Sequence, residues 1–329
     1  MDWLIIAAGA AVALAASAAL VTALERLGAR FGLPEATLGL VVALAADSPE
    51  VSAAVAAYAR GQSSLGAGVV LGSNAFNLAA LLGLGAVVAG GIALHRKVVL
   101  LEGIVALAIA VLAAVTITGL ASPVTCLALT VVILVPYVVL SALPPERRPQ
   151  VPLPRVWRTW LTSAIAEEEV ELLTAIAPRR GTWRDGAVTA VAIPAVVGAS
   201  AAMEGAASAL GARHGIPSIV TGGIVLAAVT SLPNAVAAVY LARRRRGAAA
   251  FSVALNSNAV NVLVGLIIPA VVAAGATLSR DAVLITAAYV GLTLVTIALA
   301  WAGRGLGRWA GAFIIALYIA FVAVLAATG

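Results

Sequence analysis

Apolar positions run on along nearly the whole chain in stretches of about 20 residues, without the two-residue alternation of a half-buried strand. A helix needs about that length to cross a hydrocarbon core of about 30 Å. The pattern predicts ten membrane-spanning helices, at residues 3–24, 36–59, 66–90, 98–119, 123–141, 186–210, 218–242, 250–275, 281–301 and 308–328. Barrel strands alternate over about ten residues, so these runs are too long and too continuous for a membrane barrel. The first span is expected to stay in the protein: Asp2 precedes it where a leader carries basic residues, and no polar domain follows.

Composition agrees that lipid is the main solvent. Of the 329 residues 63% are hydrophobic and 10% charged, against about 25% charged in globular domains. The net charge of +6 raises nucleic acid as a partner, but the basic residues are scattered over inter-helix loops without interleaved aromatics or a binding motif. No nucleic-acid binding is expected. The lone Cys126 leaves no disulfide framework or cysteine metal cluster. With no His-Glu-x-x-His or Gly-x-Ser-x-Gly motif, the chain does not read as an intramembrane hydrolase or any other enzyme, and no resident cofactor is expected.

The charges order the loops. Seventeen Lys and Arg fall on one set of alternate loops, namely Arg26, Arg30, Arg96, Lys97, seven between Arg147 and Arg184, Arg243 to Arg246, Arg304 and Arg308. The other set holds only Arg60, Arg213 and Arg280. The positive-inside rule then places the rich set in the cytoplasm and both termini outside, in a multi-pass protein of the inner (plasma) membrane. Arg243 to Arg246 read most simply as an anchor of a cytoplasmic helix end on anionic lipid.

The only long polar stretch, residues 142–185, opens with Pro144-Pro145 and separates a first five-helix half (1–141) from a second (186–329). Residues 159–177 have the pattern of a short amphipathic helix on the membrane surface. Its acidic run, Glu167-Glu168-Glu169 with Glu171, reads as a solvated face, the alternative being a cation sensor.

The halves repeat. A shift of 184 superposes Gly39 on Gly223, Pro49 on Pro233, Arg60 on Arg244, Ser73 on Ser257, Asn74 on Asn258 and Asn77 on Asn261. Just upstream, residues 28–34 match 211–217 at a shift of 183. Five spans per half is an odd number, so the second copy lies upside down relative to the first, which is the inverted-repeat plan of secondary transporters.

Polar residues interrupt the spans at matched depths. Asp47-Ser48-Pro49-Glu50 falls near mid-membrane, where a charged carboxylate costs about 2.5–3.5 kcal/mol on insertion scales. Proline lacks an amide hydrogen and crowds the carbonyl one turn back, so the helix should break there and free carbonyls around Ala43 to Ala46. Thr230-Ser231-Leu232-Pro233-Asn234 repeats the break with neutral oxygen donors. Each half adds a second polar helix, Gly72 to Asn77 and Asn256 to Asn261, on which Ser73 shares a face with Asn77 and Ser257 with Asn261.

Hard cations take oxygen ligands, six to eight of them for Ca²⁺. The candidate shell is Glu50, Asp47, Asn77, Asn234, Asn261, Ser73, Thr230, Ser231 and Ser257. Ser48, Asn74, Asn256 and Asn258 read instead as interhelical glue, and Asp47 has a second reading as a helix cap. Glu102 lies near Arg96-Lys97 and suggests an interfacial ion pair; Glu204 is open between an ion path and a structural role. His95 and His214 fall in loops with no special task.

These motifs resemble the cation/calcium exchanger superfamily, which includes the sodium/calcium exchangers. Its two inverted repeats typically read Gly-Thr-Ser-Leu-Pro-Glu and then Gly-Ser-Asn-x-Phe-Asn or Asp. The matches here are Ala45 to Glu50 with Gly72 to Asn77, and Val229 to Asn234 with Asn256 to Asn261. The resemblance implies that Glu50, Asn77, Asn234 and Asn261 bind the cation, flanked by Thr230, Ser231, Ser73 and Ser257. The chain departs from the pattern at three places: Asn234 stands for the second glutamate, Ala46-Asp47 for the first Thr-Ser, and Asn256 for the second motif glycine.

The fold expected is therefore an all-α polytopic membrane protein of about ten helices in two inverted repeats, with Pro-broken helices at the midplane. The expected activity is antiport of Ca²⁺ against Na⁺ or H⁺ by alternating access, its partners being cations and the bilayer. The alternatives are Na⁺/H⁺ exchange and a scaffold that kept the fold and lost transport. In a Cys126→Ala background, a cysteine at Gln150 should react with an impermeant thiol reagent only after the membrane is opened; reaction from outside intact cells would overturn the charge-based orientation.

Overall fold

The computed structural model describes residues 1–31, 44–143, 146–152, 154–173, 181–232, 234–235, 247–273 and 279–328. The proline break at Pro233, the repeat glycine Gly39, Pro34, Pro144-Pro145 and Arg243 to Arg246 lie outside the described residues. Within them the chain is helical, apart from one two-residue pairing of Ile92 with Leu306 and Ala93 with Gly305.

The helices are α1 (Asp2–Phe31), α2 (Ser48–Ala59), α3 (Ser63–Ala89), α4 (Arg96–Thr118), α5 (Pro123–Ala142), α6 (Arg155–Leu173), α7 (Trp183–His214) and α8 (Ser218–Thr230). They continue with α9 (Gly247–Val260, extended through Asn261–Ile267 and Ile268–Val272), α10 (Arg280–Gly303) and α11 (Arg308–Thr328). Eight helices among the described residues are long and apolar enough to cross a membrane. They coincide with eight of the ten spans read from the sequence. The other two, 36–59 and 218–242, are described only in part. His214, expected in a loop, ends α7 and is exposed.

Two helices form the centre. The most apolar window of α3 is 94% buried and that of α9 67%, whereas α1, α7 and α11 bury 22% each and α5 17%. The outer four therefore offer most of their surface to lipid, and α3 and α9 offer theirs to protein. Small residues let α8 cross α3 closely. A Cβ on Gly72 would lie 2.2 Å from the Gly223 carbonyl oxygen, one on Gly68 2.3 Å from that of Ile219, and one on Gly222 2.3 Å from that of Leu65. Helices in lipid gain attraction by such close backbone approach, because the hydrophobic effect does not favour one apolar neighbour over another.

At the perimeter α1 packs along α7 in antiparallel fashion. Arg213 pairs with Asp2 at one end, and Arg26 with Asp185 at 3.3 Å at the other. A Cβ on Gly9 would run into the Met203 side chain, so the two helices are close between the ion pairs as well.

The polar linker is partly built into the fold. Its helix begins at Arg155, four residues earlier than expected, and is described as far as Leu173. Trp160, Leu161, Ala164 and Ile165 pack on Leu101, Tyr137 and Leu140, and Lys97 donates to Ser163 at 2.9 Å. The apolar face expected to lie on the membrane surface is thus docked on α4 and α5. Arg148 is 3% exposed and donates to the Leu143 carbonyl at 2.9 Å and that of Ser141 at 3.4 Å, satisfying the end of α5. The side chains of Glu167 to Glu171 lie outside the described residues.

The glycine crossing yields a stability prediction. Gly72→Ala should lower the thermal unfolding midpoint in detergent by an amount equivalent to at least about 1–3 kcal/mol, the usual range for overpacking. Gly198→Ala, whose Cβ would meet nothing within 4 Å, should not.

Candidate cation site

Both polar helix breaks are visible as backbone events. Asp47 is a bend between residues 44–46 and α2, with φ −80° and ψ −6°. Ser231, its counterpart at the 184-residue shift, ends α8 with φ −85° and ψ −1°. At each break the chain resumes with the same bond: Val51 N–H donates to the Asp47 carbonyl at 3.0 Å, and Ala235 N–H to the Ser231 carbonyl at 3.1 Å. Pro49 supplies the physical cause of the first break, since it opens α2 without an amide to donate.

The freed-carbonyl expectation needs a correction at Ala45. Its oxygen accepts the hydroxyls of Ser17 at 3.0 Å and Ser48 at 2.6 Å, so two side chains take the place of the missing helical amide. A second correction concerns Asp47 as a cap: its side chain makes no capping bond to α2.

Asp47 turns instead into a buried polar cluster with Glu50, both 0% exposed. Asp47 Oδ1 accepts from the Asn234 amide at 2.7 Å and from the Ser257 hydroxyl. Glu50 Oε1 accepts from the same Asn234 amide at 3.3 Å, and Glu50 Oε2 from the Asn261 amide. The Ser73 and Ser231 hydroxyls lie beside the Glu50 carboxylate. Asn77 donates to Ser257 Oγ at 3.5 Å and to Asn258 Oδ1 at 3.1 Å. Eight of the nine residues named from sequence are thereby brought into one region. Thr230 is also buried, but its hydroxyl is turned to its own helix, donating to the Leu226 carbonyl at 2.9 Å.

A layer of asparagines joins the central helices next to this cluster. Asn74 donates to the Asn258 carbonyl at 3.0 Å, and Asn258 to that of Asn74 at 3.1 Å. The bond from Asn77 to Asn258 Oδ1 is mirrored by one from Asn261 to Asn74 Oδ1 at 3.2 Å. Just after Asn77, at Leu78–Leu84, and from Asn261 to Ile267, both helices widen into π turns, a geometry common at functional sites. The glue reading of Asn74 and Asn258 holds geometrically, while their bonds also orient Asn77 and Asn261. The reciprocity was available in the sequence as the 184-residue shift.

Chemically the cluster is a concentration of oxygen. Asp47 Oδ2, Asn77 Oδ1 and Asn261 Oδ1 are buried without a hydrogen-bond partner. Leaving such atoms unmet costs about 1–3 kcal/mol each, a cost that a hard cation removes by accepting their lone pairs. The amides can also reverse roles, since rotating Asn234 or Asn261 about its terminal bond exchanges the N–H₂ that faces a carboxylate for an oxygen that faces a cation. Among the described residues no group of three or more His, Cys, Asp or Glu is arranged to hold a metal. Carboxylate, amide and hydroxyl oxygens are the donors that hard cations take.

The other acids lie apart. Glu102, 1% exposed, accepts from the Tyr137 hydroxyl at 2.6 Å. Glu204, 0% exposed, pairs with Arg60, which also donates to the Ala201 carbonyl at 3.2 Å. His95 is exposed at the start of α4.

Residues 1–143 and 186–327 match the sequence profile of the sodium/calcium exchanger protein family. The chain belongs to that family. One curated relative, described as the putative antiporter CaxA of Alkalimonas amylolytica, is 34% identical over 91 residues, which is 27% of this chain and 28% of that protein. The chain therefore matches less than a third of that relative's length. Among solved structures, the H⁺/Ca²⁺ exchanger CAX superposes with a TM-score of 0.71 at 16% identity, covering 99% of this chain and 85% of that one. The sodium-calcium exchanger NCX_Mj, soaked with 10 mM Na⁺ and zero Ca²⁺, gives 0.60 at 17% identity over 98% of both chains. At these identities the likeness establishes a shared polytopic exchanger fold. The protein is a multi-pass membrane protein of a cation-exchanger family, a class of transporters and not of catalytic enzymes.

The asparagine layer can be tested by a double-mutant cycle on Asn74→Ala and Asn258→Ala. The pair should couple by at least about 0.6 kcal/mol, the mean for hydrogen bonds between membrane helices. Additive losses of stability would show that the two bonds are not shared.

Proposed function

We propose that the chain is a cation antiporter that exchanges Ca²⁺ for Na⁺ or H⁺ by alternating access, with Asp47 and Glu50 as the charged ligands. The single observation that carries this reading is the buried pair of carboxylates joined by one amide, Asn234. Ionised, the pair carries a charge of −2, which one Ca²⁺ or two monovalent ions neutralise. Asn77, Asn261, Ser73, Ser231 and Ser257 complete the oxygen shell. The solved relatives described as exchanging H⁺ with Ca²⁺, or Na⁺ with Ca²⁺, support Ca²⁺ as the substrate and leave both counter-ions open. Na⁺/H⁺ exchange is the second reading, favoured by Asn234, which lowers the charge contributed by the second half.

The inverted-repeat plan is supported by the matched dihedrals at Asp47 and Ser231, the mirrored asparagine bonds, and the π turns beside Asn77 and Asn261. The division into 1–141, 142–185 and 186–329 is supported by the two profile-matching segments, which flank residues 144–185. The 17-to-3 distribution of basic residues supports a cytoplasmic linker and external termini.

Flux in proteoliposomes tests the reading. Glu50→Gln keeps shape and hydrogen bonding but removes the charge, so it should abolish Ca²⁺ uptake driven by a Na⁺ or pH gradient while the protein stays folded. Near-normal uptake by that variant would sink the site. Asp47→Asn should weaken Ca²⁺ binding far more than Na⁺ binding, because it halves the charge that the divalent ion needs. Adding Asn234→Glu in that background should restore Ca²⁺ binding, since position 234 faces both acids.

A further inference from the structure

A cavity of about 380 Å³ opens on the face that carries the turn between α2 and α3. Gln62, Ser63, Ser208, Ser218 and Thr221 contribute polar side chains to its lining, beside Ala212 and Ile216. Gln62 Oε1 is buried without a partner. Arg60 and Glu204 do not line the cavity, but Glu204 lies one helical turn from the lining residue Ser208 on the same face of α7, and Arg60 directly precedes the lining residue Gly61, so their ion pair is close to it. From Arg60 to Glu50 along α2 is roughly 15 Å at the helical rise.

The pair is unequal. Glu204 is fully buried, and its Oε1 has no hydrogen-bond partner, whereas the Arg60 side chain is 46% exposed. A buried carboxylate needs a compensating cation, and removing the only one is strongly unfavourable. The guanidinium supplying it is on a long, half-solvated side chain that reaches water by rotation alone. A small cation arriving from the cavity meets one unengaged Glu204 oxygen and can take over the other as Arg60 leaves. The counterpart positions of Glu204 in α1, at shifts of 183 and 184, are Val21 and Leu20, so no matching acid stands in the first half.

We propose that the cavity is a cation vestibule and that Glu204, one helical turn from its lining, is a relay carboxylate, exchanging Arg60 for an incoming hard cation on the way to Asp47 and Glu50. The destination rests on the antiport reading; cation capture at Glu204 does not. Because α7 is bound to α1 at both ends, release of Arg60 also detaches this helix pair from α2 at one point, on one membrane face only.

The test uses the full chain in proteoliposomes with Cys126→Ala and Ser208→Cys, the new thiol standing one turn above Glu204. Its rate of reaction with a neutral maleimide is measured with and without millimolar Ca²⁺. Ca²⁺ should slow labelling several-fold in this parent and at lower concentration after Arg60→Gln. It should have no effect after Glu204→Gln or in the charge-neutral Arg60→Gln/Glu204→Gln pair, which leaves no unpaired charge to disturb folding. Protection should persist in Glu50→Gln. Protection that is absent from the parent, survives Glu204→Gln, or vanishes with Glu50→Gln overturns the relay. Ca²⁺ flux by the protein with Ser208 intact separates the two ideas: protection without flux sinks the antiport reading alone, and flux without protection sinks the relay alone.

Discussion

Two carboxylates buried side by side in a membrane interior are the constraint on which the rest of the structure depends. Like charges at close range repel, and each also loses its hydration, so the pair is tolerable only where donors are brought to it. Asn234, Ser257 and Asn261, which donate to the two acids, come from the second half of the chain, while both acids come from the first. The halves are thus tied together by the electrostatics of the site. Helices α2, α8 and α9 must converge, and they do so around α3, whose glycines let α8 approach to backbone contact.

The breaks in α2 and α8 serve the same end. A continuous helix uses its carbonyls internally and directs side chains only outward, whereas a break lets the chain place a polar side chain at a depth with no solvent. Asp47 and Ser231 adopt nearly the same dihedrals, and the amide four residues on closes each break in the same way. The backbone therefore repeats where the chemistry does not. The Ala45 carbonyl shows how strict the accounting is: two serine hydroxyls from different helices meet a single oxygen left by the break.

Much of this was legible in the sequence because it depends on composition and spacing. Long apolar runs announce helices in lipid whatever their partners, and an acid beside a proline in such a run has few roles. The 184-residue shift announced which asparagines correspond, and thus the mirrored bonds between Asn74 and Asn258. What was not legible depends on direction. Asp47 can cap a helix or face a partner 187 positions away, and only the rotation of its side chain decides. The docking of Trp160 and Ile165 on α4 and α5 was hidden for a similar reason, since an amphipathic face states that it needs an apolar surface but not which one. The Arg60 to Glu204 pair joins residues 144 positions apart with no motif linking them.

The departures from the exchanger pattern are better understood together than singly. Where the second half of the family pattern carries an acid, this chain has Asn234, and where the first half carries a hydroxyl, it has Asp47. The two exchanges are in contact, with the Asn234 amide donating to Asp47 Oδ1 at 2.7 Å and to Glu50 Oε1 at 3.3 Å. A carboxylate at position 234 would have no hydrogen to donate and would add a third negative charge beside Asp47. An amide there holds both acids instead, so the pair of exchanges keeps the site's charge while moving it wholly onto α2 and the bend before it. On the antiport reading proposed above, a cation has its two charged ligands on one side and neutral oxygens on the other. On that reading, a motion of α8 and α9 relative to α2 would change the neutral ligands and leave the charged ones with the ion. In the proposed transport cycle the strength of binding in its two halves would be set by amides and hydroxyls, whose individual bonds are weak enough to exchange.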